Sequence, residues 1–314
     1  MPRLSRILSL TPRLLLGVAI LEGCAPVSSP GRFAPEVDFR VYDTSLGEFI
    51  DLVALSQNVS TAHVVFFGEF HDDPVTHYVQ RRLLAEIGMA RGELALGLEM
   101  FDRDVQPVLD GLLRGEVSER DFLVEARPWP NYRTDYRPLV ELAARRGWPV
   151  VGTNLPQDIA RAIAREGIGA LEGLTPAARA FVATEVECPR DEYWDRFVAV
   201  LSEGSATGHG DHSAPDAFWN LFEAQCARDE TMAETITELL RDNELVFHVN
   251  GAFHTDFQMG IVPRLLRRRP QSRVAVISAL PVDDPDAPPL IGQEARADYV
   301  IFTRRLPPTS APRS

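Results

Sequence analysis

Four ionisable side chains follow directly on apolar runs in this chain, and together they could do acid–base chemistry or hold a metal. Glu69 and His71 end the run 64–67 within Val64-Val65-Phe66-Phe67-Gly68-Glu69-Phe70-His71-Asp72-Asp73-Pro74. Glu99 ends the run 95–98, and His254 follows 245–249 through Asn250-Gly251-Ala252-Phe253. An apolar run that stops at a glycine, a carboxylate and an imidazole, with a proline beyond, reads as a strand handing over to a helix. Open α/β sheets carry their sites there. Two imidazoles and two carboxylates could ligate a divalent metal, or pair as acid and base with a carboxylate orienting a histidine. Each could instead satisfy backbone groups at a strand end, but chance would scatter four such residues over both ends of a sheet.

Aromatic residues offer a different chemistry. Tyrosine ligates ferric haem iron in some proteins, which makes Tyr78, Tyr132, Tyr136 and Tyr193 candidates beside His71 and His254. Trp129, Tyr132 and Tyr136 lie within Pro128-Trp129-Pro130-Asn131-Tyr132-Arg133-Thr134-Asp135-Tyr136-Arg137-Pro138 and could form an aromatic wall. Ordinary packing of amphipathic aromatics is the competing reading. The chain has no Cys-x-x-Cys-His, so any haem would be held non-covalently. It also lacks a Gly-x-Gly-x-x-Gly, a Walker A sequence and a Gly-x-Ser-x-Gly elbow. All 32 basic residues are arginine. Lysine chemistry is therefore excluded, and an anionic ligand group must be met by Arg, His or backbone N–H. His209 and His212 flank Asp211 at a metal-like spacing, but the Gly- and Ser-rich surroundings read as a solvated loop. His63 and His248, before or inside apolar runs, read as satisfied sheet histidines. Arg264, Arg267, Arg268 and Arg269 read as a solvated helix end favoured by the helix dipole.

The elements that must position these groups alternate apolar runs with amphipathic stretches. That pattern predicts an α/β fold with a largely parallel central sheet flanked by helices. Strands are expected at 64–67, 95–98, 150–153, 245–249, 273–277 and 299–302. Helices are expected at 75–89, 106–113, 119–125, 136–146, 157–166, 177–184, 217–240 and 261–268. In the first of these, Val75, Val79, Leu83 and Ile87 recur every four residues and should face the sheet. Asp72 or Asp73 can cap it, and Pro74 costs nothing in a first turn. His77 and Arg81 then fall on the opposite face, close to the strand-end loop. No strand is evident over about 169–240, which reads as a helical insertion in one domain spanning 37–306. The tail 307–314, rich in Pro and Ser, is expected to be disordered.

Residues 1–23 read as a signal peptide: Arg3, Arg6 and Arg13 precede an apolar run too short to span a bilayer. Leu21-Glu22-Gly23-Cys24 resembles a lipobox with Cys24 as the lipidated residue, although Glu22 stands where a small residue is usual. Residues 24–36 then suit a tether. An exported lipoprotein at the bacterial outer membrane follows, facing the periplasm or the surface. The net charge of −13 argues against nucleic acid as a partner. In an oxidising compartment Cys188 and Cys226 could form a disulfide or stay free.

Six segments in order resemble the ChaN-like family of bacterial haem-binding lipoproteins, within the wider group that includes erythromycin esterases and Tiki/TraB proteins. They are Phe67-Gly68-Glu69-Phe70-His71-Asp72, Leu96-Gly97-Leu98-Glu99-Met100-Phe101, Gly152-Thr153-Asn154-Leu155-Pro156, the stretch 223–233, Asn250-Gly251-Ala252-Phe253-His254 and Ala297-Asp298-Tyr299-Val300. The likeness spans about residues 40–303. It implies an α/β fold and a role in haem-iron uptake at the outer membrane, with an outer-membrane haem receptor as a partner. Haem held between two subunits, and so a homodimer on ligand binding, is also implied. Glu69, His71, Glu99 and His254 match the polar positions shared with the hydrolytic relatives. No single tyrosine carries over as the haem ligand, and Arg81 or Arg133 would have to replace a propionate-binding lysine. Three readings remain open from sequence: an exported haem-binding protein, an exported hydrolase in which His71 or His254 activates water while Glu69 or Glu99 orients it, and a catalytically dead scaffold that retains the cluster for structure.

Overall fold

The structure is a computed structural model that describes residues 38–205, 218–287, 292 and 295–306. The proposed signal peptide, Cys24, the tether, the His209–His212 loop and the tail lie outside the described residues. Eight strands form one sheet: β1 (Phe39–Asp43), β2 (Glu48–Ile50), β3 (Val64–Glu69), β4 (Ala95–Asp102), β5 (Val150–Asn154), β6 (Val246–Gly251), β7 (Val274–Val282) and β8 (Tyr299–Arg304). Their order is β2-β1-β8-β7-β3-β6-β4-β5. Strands β3 to β8 run parallel, and the β1–β2 hairpin closes one edge antiparallel. From β3 the chain continues to β4 on one side, and from β6 to β7 on the other, with β3 and β6 paired between them. A crevice opens at the carboxyl ends where strand order reverses in this way.

The central strands read as continuous apolar runs because both their faces are covered. Along β3, Val65 and Phe67 face one core layer, and Val64 and Phe66 face the other. The first layer holds α1 (Leu52–Val59), α2 (Pro74–Arg91), α3 (Gln106–Leu113), α4 (Glu119–Glu125) and α5 (Arg137–Arg146). The second holds α6 (Gln157–Glu166), α9 (Trp219–Leu239) and α10 (Ile261–Arg268). The short α7 (Pro176–Arg179) and α8 (Glu192–Ser205) lie between α6 and α9 in sequence. Among the described residues 169–240 there is no strand, and α9 packs directly against α6, α10 and β5.

Local chemistry explains most of these boundaries. Asp73 caps α2 by accepting from Val75 N–H at 3.1 Å, with Pro74 in the first turn and Gly92 at φ +79° beyond the end. Val75, Val79, Leu83 and Ile87 are buried as their spacing predicts. The helix expected at 177–184 is a single turn instead. Thr175 caps it, and the Arg179 guanidinium then donates to the carbonyls of Val182, Ala183 and Thr184, which holds the following chain out of helix. The hairpin at the sheet edge has no counterpart among the predicted strands. Its strands are five and three residues long, and Asp43 closes the turn by accepting from the N–H groups of Ser45 and Leu46.

Two further pairings tie the second layer together. Cys188 and Cys226 form a disulfide, with their Cα atoms 5.5 Å apart, which joins the segment before α8 to α9. Closing a loop of that length removes freedom from the unfolded chain equivalent to about 4 kcal/mol. The arginines at the end of α10 are not a solvated helix end. Arg264, Arg267 and Arg268 converge on Glu230, which is fully buried on α9, at 3.3, 2.6 and 2.5 Å. The apolar stripe of α10 turns Arg264 inward along with Ile261 and Leu265, so the charge needs a partner from α9.

Candidate functional site

Three neighbouring strands, β3, β6 and β4, deliver Glu69, His254 and Glu99 to one end of the sheet. The four residues singled out by their positions after apolar runs come together there. Glu69 is 2% exposed, and its Oε1 faces His71 Nδ1 at 2.9 Å and accepts from the Tyr136 hydroxyl at 2.6 Å. Gln80 donates to the other oxygen. On the far side of the site, Glu99 Oε2 accepts from Gly251 N–H at 2.6 Å, and its Oε1 lies 3.3 Å from His254 Nε2. His254 Nδ1 lies 2.5 Å from Asp229 Oδ1 and 3.1 Å from the Gln225 amide.

Gly251 joins the two halves. A Cβ on this residue would stand 2.9 Å from both Cε1 and Nε2 of His71, and 3.7 Å from Glu99 Oε2. The His71 ring edge therefore rests on the bare backbone of residue 251, in the space beside Glu99. Gly260, at φ +59°, is needed where the chain turns back past His254, because a Cβ there would sit 2.2 Å from the His254 carbonyl oxygen.

The electrostatics follow from burial and pairing. Burial works against a charge on His254, but the charges of Glu99 and Asp229, with hydrogen bonds to both, raise its pKa to about 10. Burial would raise Glu99, yet the charge and hydrogen bond of His254, then His71 and the Gly251 N–H, hold it well below the usual carboxylate range. His71 is raised as well, since its hydrogen bond to Glu69 and the nearby carboxylates outweigh its partial burial. His254 is thus a buried imidazolium between two carboxylates, while the His71 side chain is 43% exposed.

The remaining candidates are placed differently. Tyr136 is fully buried and spends its phenol on Glu69, and burial with that carboxylate raises its pKa strongly. Tyr132 packs its ring against Phe101 and Phe122 in the core, and burial raises it to about 12. Neither presents a phenol at the surface, so the two do not form the wall expected of them. Trp129 does, with its ring edge-on to His71 at 4.6 Å. Tyr78 is half-buried on α2, and its hydroxyl accepts from Arg82. Tyr193 is buried and accepts from Gln225. His248 is a satisfied sheet histidine, bonded to Asn250 and Thr153, and burial lowers it to about 4.

Sequence reasoning missed an outer ring of polar groups. His77, placed by periodicity opposite the apolar stripe of α2 and close to the strand-end loop, does meet that loop but is buried: Nδ1 meets Gln80 at 3.0 Å, and Nε2 meets the His71 carbonyl at 3.1 Å. Asn131 donates to the same carbonyl at 2.8 Å. Asp229 and Gln225 come from a helix, where nothing in the local pattern marks them apart from a surface face. Only the four-residue spacing of Gln225 and Asp229 hinted that both point the same way. Among the described residues, no group of three or more His, Cys, Asp or Glu is arranged to hold a metal ion.

A parallel α/β sheet that gathers two carboxylate–imidazole pairs at its carboxyl end defines the class. The chain belongs to the haem-binding uptake family of the Tiki superfamily, ChaN, whose model matches residues 55–265. Among solved structures, the fold is similar to ChaN of Campylobacter jejuni described in cofacial haem binding. The TM-score is 0.65 at 17% identity, covering 85% of this chain and 98% of that one. The type III effector HopBA1 gives a TM-score of 0.46 at 13% identity over 86% of this chain and 99% of the effector. A mutant erythromycin esterase EreC in its open conformation gives 0.43 at 12% identity, over 85% and 83%. No protein of curated function matches the sequence.

Proposed function

We propose that this protein binds haem non-covalently at the carboxyl end of its sheet, with His71 meeting the iron, and that it does so as an exported protein serving haem uptake. One observation carries the assignment of the residue. His71 is the half-open imidazole of the cluster, its Nδ1 is held by the buried carboxylate of Glu69, and among the described residues its Nε2 has no hydrogen-bond partner. A carboxylate on one ring nitrogen orients an imidazole and makes the other nitrogen a better metal ligand. Phe70, 41% exposed, and Trp129 add aromatic surface beside it, which suits a flat apolar ligand. The residues present therefore fit the group. Bound haem would supply an iron centre, and the chain supplies the nitrogen, its orientation and the apolar surroundings. Membership of a haem-binding family supports the ligand class. The signal-like residues 1–23 and Cys24 support export and lipid anchoring, and pairing of two copies on haem belongs to the same proposal.

Titrating the purified chain with ferric haem tests this reading by absorbance and sedimentation. Saturable binding with a shifted Soret band is expected in the wild type. His71→Ala should lose that shift and at least tenfold in affinity. Affinity should also fall toward acid pH, because a proton competes for the nitrogen that the iron needs and the pKa of His71 is raised. A wild-type spectrum from His71→Ala would remove His71 from the role, and the lack of saturable binding would remove haem.

A second reading rests on the Glu99–His254–Asp229 arrangement, which is more than a haem ligand requires. His254 carries a proton at neutral pH and could give it to a leaving group, while the His71–Glu69 pair, half-open, takes one from water. Turnover of a panel of carboxylic esters that falls at least a hundredfold in Glu69→Gln would support a hydrolase. No turnover by the wild type would end that reading.

A further inference from the structure

Beside His71, at the carboxyl ends of β4 and β5, lies a polar pocket of about 340 Å³. Trp129 belongs to both places, since it lines this pocket and stands edge-on to the His71 ring. Three guanidiniums line the pocket from three different elements: Arg127 after α4, Arg161 on α6 and Arg228 on α9. Arg127 is paired with Asp104 at 2.7 Å. Arg161 and Arg228 make no ion pair or side-chain hydrogen bond among the described residues. The arginines of a neighbouring cavity differ. In that larger cavity Arg103 is bound to Glu234, Thr235 and the Thr231 carbonyl, and Arg179 to three backbone carbonyls.

Two carboxylates also line the pocket, and their oxygens already accept from the backbone. Asp102 takes the Gln157 N–H at 3.0 Å, and Asp158 the Ile159 N–H at 2.9 Å. Arg228 acts on Asp102 through its charge without a direct contact. Arg127 also carries a cost: it sits at φ +50°, a left-handed backbone conformation that a branched or long side chain rarely takes. A residue held so at a pocket rim is retained against its local preference.

We infer that this pocket is an anion subsite, which receives a carboxylate group through Arg161 and Arg228 with Arg127 at the rim. Guanidinium forks match carboxylates bidentately, and a chain without lysine has no other strong donor for them. The carboxylate has two possible sources. It can be the acid arm of the ligand seated at His71, in which case the subsite deepens the haem reading and rests on it. It can equally be a separate small polycarboxylate.

The experiment uses the full chain, its Arg161→Gln/Arg228→Gln double variant, and citrate, ferric haem and haem dimethyl ester as probes. Calorimetric titration with citrate should show saturable binding to the wild type, weakened at least tenfold in the double variant. Haem should bind the wild type at least tenfold better than its ester, a preference that the variant loses while the Soret position stays unchanged. Competition of citrate with haem assigns the subsite to the acid arm, and citrate binding without competition assigns it to a separate ligand. The citrate arm does not depend on haem, so it stands if haem fails to bind. Citrate binding equal in wild type and variant, or absent from both, with no preference for haem over its ester, overturns the subsite. The circular dichroism and melting of the double variant should match the wild type, since among the described residues neither side chain has an ion pair or hydrogen bond to lose.

Discussion

Replacing His254 with glutamine is expected to destabilise the protein by about 3–5 kcal/mol at pH 6, and by much less near pH 10. The first figure follows from removing the cation of a buried charge cluster, which leaves Glu99 and Asp229 facing each other uncompensated. The pH dependence follows from linkage. In the folded state His254 titrates at about 10, against 6.5 in the unfolded chain. Between those values the folded protein holds a proton that the unfolded chain has released, so the contribution is complete below pH 6.5 and is lost as pH rises to 10. Glu99 acts in the opposite direction. Its pKa is depressed on folding, so its share is present above the usual carboxylate range and is lost only in strong acid. Wild-type stability from this cluster should therefore plateau near pH 5–6, and the variant should lack the decline on the alkaline side. Urea unfolding at pH 6, 8 and 10 measures both effects. A gap between the two proteins that stays constant with pH would mean that His254 is not a buried imidazolium.

The same cluster shows what the sequence could and could not reveal. Glu69, Glu99 and His254 were legible because each lies at or just beyond the apolar run of a buried parallel strand, where the break in the run is conspicuous. All six parallel strands were legible for the same reason. Asp229 was not, because α9 is buried on several sides and its polar residues do not fall on one stripe. Tyr136 was misplaced because an aromatic in a Pro-rich connection reads as surface, whereas here a π-helical turn at Tyr132–Tyr136 carries its hydroxyl to Glu69. The place of His77 near the strand-end loop was legible but its burial was not, because periodicity assigns only apolar residues to the inner face, and the first turn of α2 lies over the site. The β1–β2 hairpin was missed because edge strands this short carry polar residues and no continuous run. Thus the sequence showed which strand ends hold ionisable groups, while the partners that set their charge states came from elements whose own pattern is uninformative.

Glu230→Ala should be comparably damaging although it lies outside the site, and here the expected loss is again about 3–5 kcal/mol. Glu230 is fully buried on α9, and Arg264, Arg267 and Arg268 of α10 all reach it. Arg264 is itself only 6% exposed, so without the carboxylate its charge stays in the core with one backbone carbonyl of its own helix and that of Glu187. Arg267 and Arg268 are more open and can turn to water, which limits the cost to one stranded guanidinium and the packing around it. A double change, Glu230→Leu with Arg264→Leu, tests that partition. It removes the stranded charge together with its counter-charge and should recover most of the loss, since a buried ion pair replaced by apolar groups of similar size is often neutral. Equilibrium urea unfolding of the two variants measures the difference. If the double variant is as unstable as Glu230→Ala, the damage comes from disrupted α9–α10 packing and not from the charge. The consequence reaches the site through the same helix: Asp229 is the neighbour of Glu230, so a shift of α9 at this point would also move the carboxylate that holds His254.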